Sequence, residues 1–139
     1  PAVLTLPSSG LRLGLFSFAD HYSFWAARPD APGIACLDPR VSIDPHHAAE
    51  RESLKSALLA ERQRLGLDGV LVSYHWGPNY AWSPSPAIRS MAHFLVGECG
   101  VDVIHGHSAH HVQVSCAPAG TSSFACRCLD ACTCAAGCT

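Results

Sequence analysis

Apolar and polar positions alternate over residues 11–19 (LRLGLFSFA), where Leu11, Leu13 and Leu15 lie two apart before Phe16 and Phe18, and this predicts a buried strand. Asp20 and His21 end it, and an irregular stretch with Pro29, Pro32 and Gly33 follows. Residues 33–37 (GIACL) predict a second short strand, closed by Asp38 and Pro39. Asp44 and Pro45 then open a helix over residues 46–65, because Asp accepts from free first-turn amides and Pro suits the first helical position. Leu54, Leu58 and Leu65 fall close to one face of it, and Gly66 with the Asp68-Gly69 pair stops it.

Residues 70–74 (VLVSY) form a compact apolar strand signal followed directly by His75, Trp76 and Gly77. A loop with Pro78, Pro84 and Pro86 leads to a helix capped by Ser85, whose apolar positions Ile88, Met91, Ala92, Leu95, Val96 and Cys99 follow the helical period. Gly100 ends that helix, residues 101–105 (VDVIH) predict another strand, and Gly106, His107, Ser108, Ala109, His110 and His111 follow it. Strand, helix and strand at this spacing predict a right-handed βαβ unit with parallel strands. The carboxyl ends of both strands then share one sheet edge, the edge where α/β proteins place their sites. His75 on one side and His107 and His110 on the other are thereby expected to converge.

Imidazole is a common ligand for first-row metals, and each strand end here delivers His beside Gly, which permits close approach. The opposing reading is that these histidines only end strands and cap loops. For His21, His46, His47 and His93 a structural or solvent-facing role is the expectation, and His105 is ambiguous as the last residue of its strand. Trp76 either walls the site or packs in the core.

Composition narrows the class. With 48% hydrophobic and 14% charged residues, the chain is too apolar for a disordered segment, and its net charge of −2 excludes a basic groove for nucleic acid. No apolar run reaches the roughly 18–20 residues of a membrane span, and residues 1–15 lack a signal-peptide pattern, so a cytoplasmic location is expected. All nine histidines precede residue 112, whereas Cys116, Cys126, Cys128, Cys132, Cys134 and Cys138 crowd the other end. The expected organisation is therefore a domain over 1–113 and a non-globular Cys/Ala-rich tail over 114–139.

The stretches VLVSYHWGPNY, AIRSMAHFLVGECGVD and VIHGHSAHHVQ resemble the bacterial capsule-synthesis protein CapA family, also called the poly-γ-glutamate biosynthesis family. The likeness covers about residues 10–113 and also includes LGLFSFADHYSFWAA and PGIACLD. It implies a calcineurin-like metallophosphoesterase fold, a four-layer α/β/β/α sandwich of which this chain would be part. It further implies His75, His107 and His110 as metal ligands, with His75 and His107 at the catalytic centre. The implied cofactor is one or two divalent ions, Zn, Mn or Fe, acting on a small-molecule or polymer substrate such as a phosphoester, acyl phosphate or glutamyl compound. The family's Gly-Asp and Asn/His motifs do not occur in this chain. The expectation is accordingly an incomplete, marginally stable hydrolase-like domain, with a non-catalytic remnant as the alternative.

Two readings of the tail stand beside this. Its CxC pairs suggest a thiolate metal-binding protein acting through residues 114–139, although structural zinc sites favour CxxC spacing. Alternatively, Gln113, Val114 and Ser115 are encodable by a splice-donor sequence, so the tail is a translated intron or frame-shifted exon. Cys36 and Cys99 are expected to be buried thiols of a reducing compartment.

Overall fold

A computed structural model describes residues 1–111 and residue 113. The described chain forms one four-stranded sheet in the order β1 (Ala2–Thr5), β2 (Arg12–Ala19), β3 (Gly69–His75) and β4 (Val103–His107). β1 pairs antiparallel with β2, and β2, β3 and β4 are mutually parallel. Helices α1 (Ala48–Leu65) and α2 (Pro86–Gly97) make the crossovers. The observed class is thus α/β, and the βαβ unit of β3, α2 and β4 is present as the spacing predicts.

Alternation along β3 decides which face meets the helices. Val70, Val72 and Tyr74 are buried while Leu71, Ser73 and His75 are half-buried. Val70, Val72, Tyr74 and Ile104 join Leu58, Met91, Phe94 and Leu95 in one core, with Phe16 and Phe18 packed against it. Both helices therefore cover one face. On the other, Leu4 and Leu15 remain 60% and 40% exposed. Among the described residues there is no second sheet.

Local chemistry sets the boundaries. Asp44 accepts from the His46 amide at 2.9 Å and opens a short 3-10 turn, Pro45–His47, that leads into α1. Ser85 accepts from the Ile88 amide at 3.3 Å and caps α2. Arg62 of α1 donates to the Asp102 carboxylate at 2.9 Å and to the Asp68 carbonyl at 3.0 Å. Asp102 also accepts from the Val70 amide at 2.8 Å, so one ion pair joins α1 to the starts of β3 and β4.

Four details depart from the sequence expectation. Residues 33–37 make only isolated bridges, Ala19 with Cys36 and Ala26 with Ile34, because the carbonyl and amide of Ala19 meet Leu37 and Ala35 where β2 ends. Cys36 is consequently exposed; Cys99 alone of the two is buried, its thiol pushed up to about 12 by that burial. α2 ends at Gly97, before Gly100, and β4 runs from 103 to 107 and includes His107. β1 was not expected from the sequence, although Ala2, Val3 and Leu4 are apolar; all four of its residues are exposed. The tail expected over 114–139 lies outside the described residues.

Candidate metal centre

The parallel ladder puts three strand ends in register. Ala19 pairs with His75, and His75 pairs with His107, at the carboxyl edge of the sheet. Asp20 and His21 leave β2 at the same edge, and the Asp20 amide donates to the His75 carbonyl at 3.0 Å. The side chains of Asp20, His21 and His75 each offer a ligand atom, and these atoms lie within 4.8 Å of one another. It is the group of three such donors found among the described residues.

Each member is held by its own contacts. One Asp20 oxygen meets His21 Nδ1, and the other accepts from the Gly77 amide at 2.7 Å, tying the His75-Trp76-Gly77 turn to the end of β2. The His21 ring stands edge-on to His75 with centroids 4.8 Å apart. On its other side His75 faces His107 at 5.2 Å. The Ser73 hydroxyl lies 3.4 Å from His107 Nε2 and 3.2 Å from His105 Nδ1, extending the polar array along the half-open face of the sheet.

His75 and His107 are thus brought side by side. His110 is exposed, and its ring packs against Tyr80 at 5.1 Å, because the chain turns through positive φ at Ser108 and again at His110. Its loop is fastened to the loop after β3: the Trp76 amide donates to the His107 carbonyl, the Tyr80 amide to the Ala109 carbonyl, and the Ser108 hydroxyl to the Gly77 carbonyl. Trp76 packs against Tyr74 at 4.4 Å and lies across Gly106, so its part is in the core behind the site. His46 and His93 are exposed and His47 pairs with Glu50, as the sequence suggested.

The sequence reading used Asp20 only as the end of a strand and gave His21 a structural or solvent-facing role, whereas the fold places both beside His75. The signal was their position at the end of the first strand, and its meaning depended on β2 lying beside β3 in parallel. A flank of exposed aromatic rings, Tyr22, Phe24 and Trp25, follows His21 directly. One carboxylate and two imidazoles form a donor set suited to Zn, Mn or Fe, so these residues fit such an ion.

The description "Bacterial capsule synthesis protein PGA_cap" matches residues 1–120. A probable polyglutamine synthesis accessory protein of Mycobacterium tuberculosis strain CDC 1551 / Oshkosh is 37% identical over 87 residues, which cover 63% of this chain and 21% of that protein. Its namesake in strain ATCC 25618 / H37Rv matches with the same identity and coverage. The chain therefore spans about a fifth of the length of these curated relatives. No solved structure matches it. With the match running through most of its length, the chain belongs to the bacterial capsule synthesis protein PGA_cap family.

Proposed function

We propose that this chain carries the metal-binding edge of a hydrolase-like domain that serves in the synthesis of a capsule polymer of the polyglutamate kind. The observation behind this reading is the convergence of His75, His107 and the Asp20-His21 pair at one carboxyl edge of a parallel sheet. Family membership supports capsule synthesis as the setting, and the relatives' names refer to polyglutamine synthesis.

The residues divide the work by position. His75, with Asp20 and His21, would hold a divalent ion, which polarises a phosphoryl or acyl oxygen as a Lewis acid. His107 stands next to His75 with Nε2 against the Ser73 hydroxyl, a placement that suits it to move a proton at the reacting group. Gly77, through its amide, fixes the Asp20 carboxylate and so keeps the edge in shape before substrate arrives. The wider four-layer sandwich implied by the resemblance would cover the face of the sheet that Leu4 and Leu15 leave open.

The test is hydrolysis of a chromogenic phosphomonoester and of a γ-glutamyl anilide by the full chain with added Mn²⁺. His107→Ala is expected to lower turnover by about 10²-fold or more, as loss of a proton-transfer group does. Absence of turnover in the wild type removes the hydrolase reading and leaves a non-catalytic accessory role, and equal turnover in His107→Ala removes His107 as the proton-transfer group.

A further inference from the structure

We infer that the two aromatic loops flanking the carboxyl edge, at residues 22–25 and 80–82, form a platform for a neutral polysaccharide with flat, equatorially substituted sugar rings. This goes beyond the proposed function, and it stands on ring placement and charge whether or not the edge is catalytic.

Placement is the first argument. Among the described residues, the aromatic rings more than half exposed are Tyr22, Phe24, Trp25, Tyr80 and Trp82, from 52% for Tyr22 to 86% for Trp82. All of them lie in the loops that leave the carboxyl ends of β2 and β3. The two loops are joined where the Asp20 carboxylate accepts from the Gly77 amide. Exposed aliphatic side chains gather elsewhere, with Val3, Leu4, Leu11 and Leu15 on or next to β1 and β2. A covering layer of protein suits that aliphatic side, whereas a cluster of rings suits a ring-shaped ligand.

The rings are also fixed in advance. Tyr22 and Phe24 stack with centroids 5.4 Å apart, and Trp25 stands edge-on to them at 5.1 and 5.2 Å. In the other loop Tyr80 packs on His110 at 5.1 Å and Trp82 on His111 at 4.9 Å. Tyr80 has a φ of 61°, a left-handed conformation that a bulky residue keeps only where its surroundings impose it. Its amide donates to the Ala109 carbonyl, and the Gln113 side chain donates to the Ala81 carbonyl at 2.6 Å. Large rings held in this way bind with little loss of rotamer freedom.

Charge selects the ligand. Residues 76–85 carry no charged side chain, and residues 22–33 carry only Arg28 and Asp30, of opposite sign. The Lys and Arg side chains of α1 are paired with Glu61, Glu98 and Asp102, none of them in either loop. A polyanion therefore meets no cluster of cations here, whereas a neutral sugar needs none. A β-glucose-type ring presents axial C–H bonds on its faces, which the negative π faces attract. Its equatorial hydroxyls form a rim that tyrosine hydroxyls and indole N–H groups bond.

The experiment titrates the full chain with cellohexaose, a neutral chain of such rings, and in parallel with poly-γ-glutamate, following tryptophan fluorescence and the heat of binding. Cellohexaose is expected to bind saturably, to shift the emission to the blue, and to bind equally well at about 1 M salt, where charge interactions are screened. Trp25→Ala and Trp82→Ala should each weaken it by at least about 10-fold, as loss of a central tryptophan does, and Trp82→Phe should recover part of the loss. Leu4→Ala, on β1, should bind as wild type. Circular dichroism confirms that each variant is folded. Absence of cellohexaose binding, or wild-type affinity in folded Trp25→Ala and Trp82→Ala, overturns the proposal. So does tighter, salt-sensitive binding of poly-γ-glutamate, which would make the platform a site for an anionic polymer. Self-association that depends on Trp25 and Trp82, without sugar binding, overturns it in favour of a protein interface. Hydrolysis of the phosphoester or glutamyl probes bears on the proposed function alone.

Discussion

Gly106 lies under the Trp76 indole, and a Cβ at that position would sit 2.7 Å from the indole Nε1. The glycine was legible in the sequence as a point of close approach, but what approaches is a packing aromatic and not a ligand. Gly106→Ala must therefore displace Trp76 from its place beside Tyr74, and an overpacking cost of about 1–3 kcal/mol is expected in urea unfolding. A variant as stable as wild type would show that the indole relaxes freely. His21 shows how much depends on the neighbouring strand. Taken alone it is an ordinary polar residue after a strand, and only the position of its strand in the sheet gives it a partner in His75. Cys36 was misread for a related reason: apolar neighbours in sequence do not ensure cover when the segment lies beyond the ladder.

At the level of elements, the βαβ unit was the most readable part of the chain. The alternating burial of β3 and the helical period of α2 are strong signals, and the caps at Asp44 and Ser85 act where their residue types predict. The start and end of β4 shifted by two residues, which brought His107 into the strand and in register with His75. The apolar run of β1, bounded by Pro1 and by Pro7 to Gly10, was a strand signal left unread, whereas sequence pattern could not show that β2 is the parallel neighbour of β3. That neighbour relation is what completes the site. The joint between α1 and the sheet rests heavily on Arg62, which bonds the Asp102 carboxylate and the Asp68 carbonyl. Arg62→Ala leaves Asp102 with only its Val70 contact and is expected to cost about 1–3 kcal/mol, measured as a lower urea midpoint at unchanged slope. An unchanged midpoint would mean that α1 is held by its apolar face alone.

On the scale of the whole molecule, helices cover one face of the sheet, and the other face is half-open with histidines gathered at its carboxyl end. Family membership supports the proposed setting in capsule synthesis, and the strand register explains why the histidines meet. The Tyr74 hydroxyl donates to the Leu37 carbonyl at 2.8 Å and so ties the loop leading from His21 towards α1 to β3, while burial raises the pKa of that hydroxyl. The central claim is that this edge takes up a divalent ion through Asp20, His21 and His75. Anomalous difference density from crystals of the full chain grown with Mn²⁺ tests it most directly. A single strong peak between those three side chains is the expected result; a peak bound by His107 and His110 without His21, or none at this edge, would contradict it.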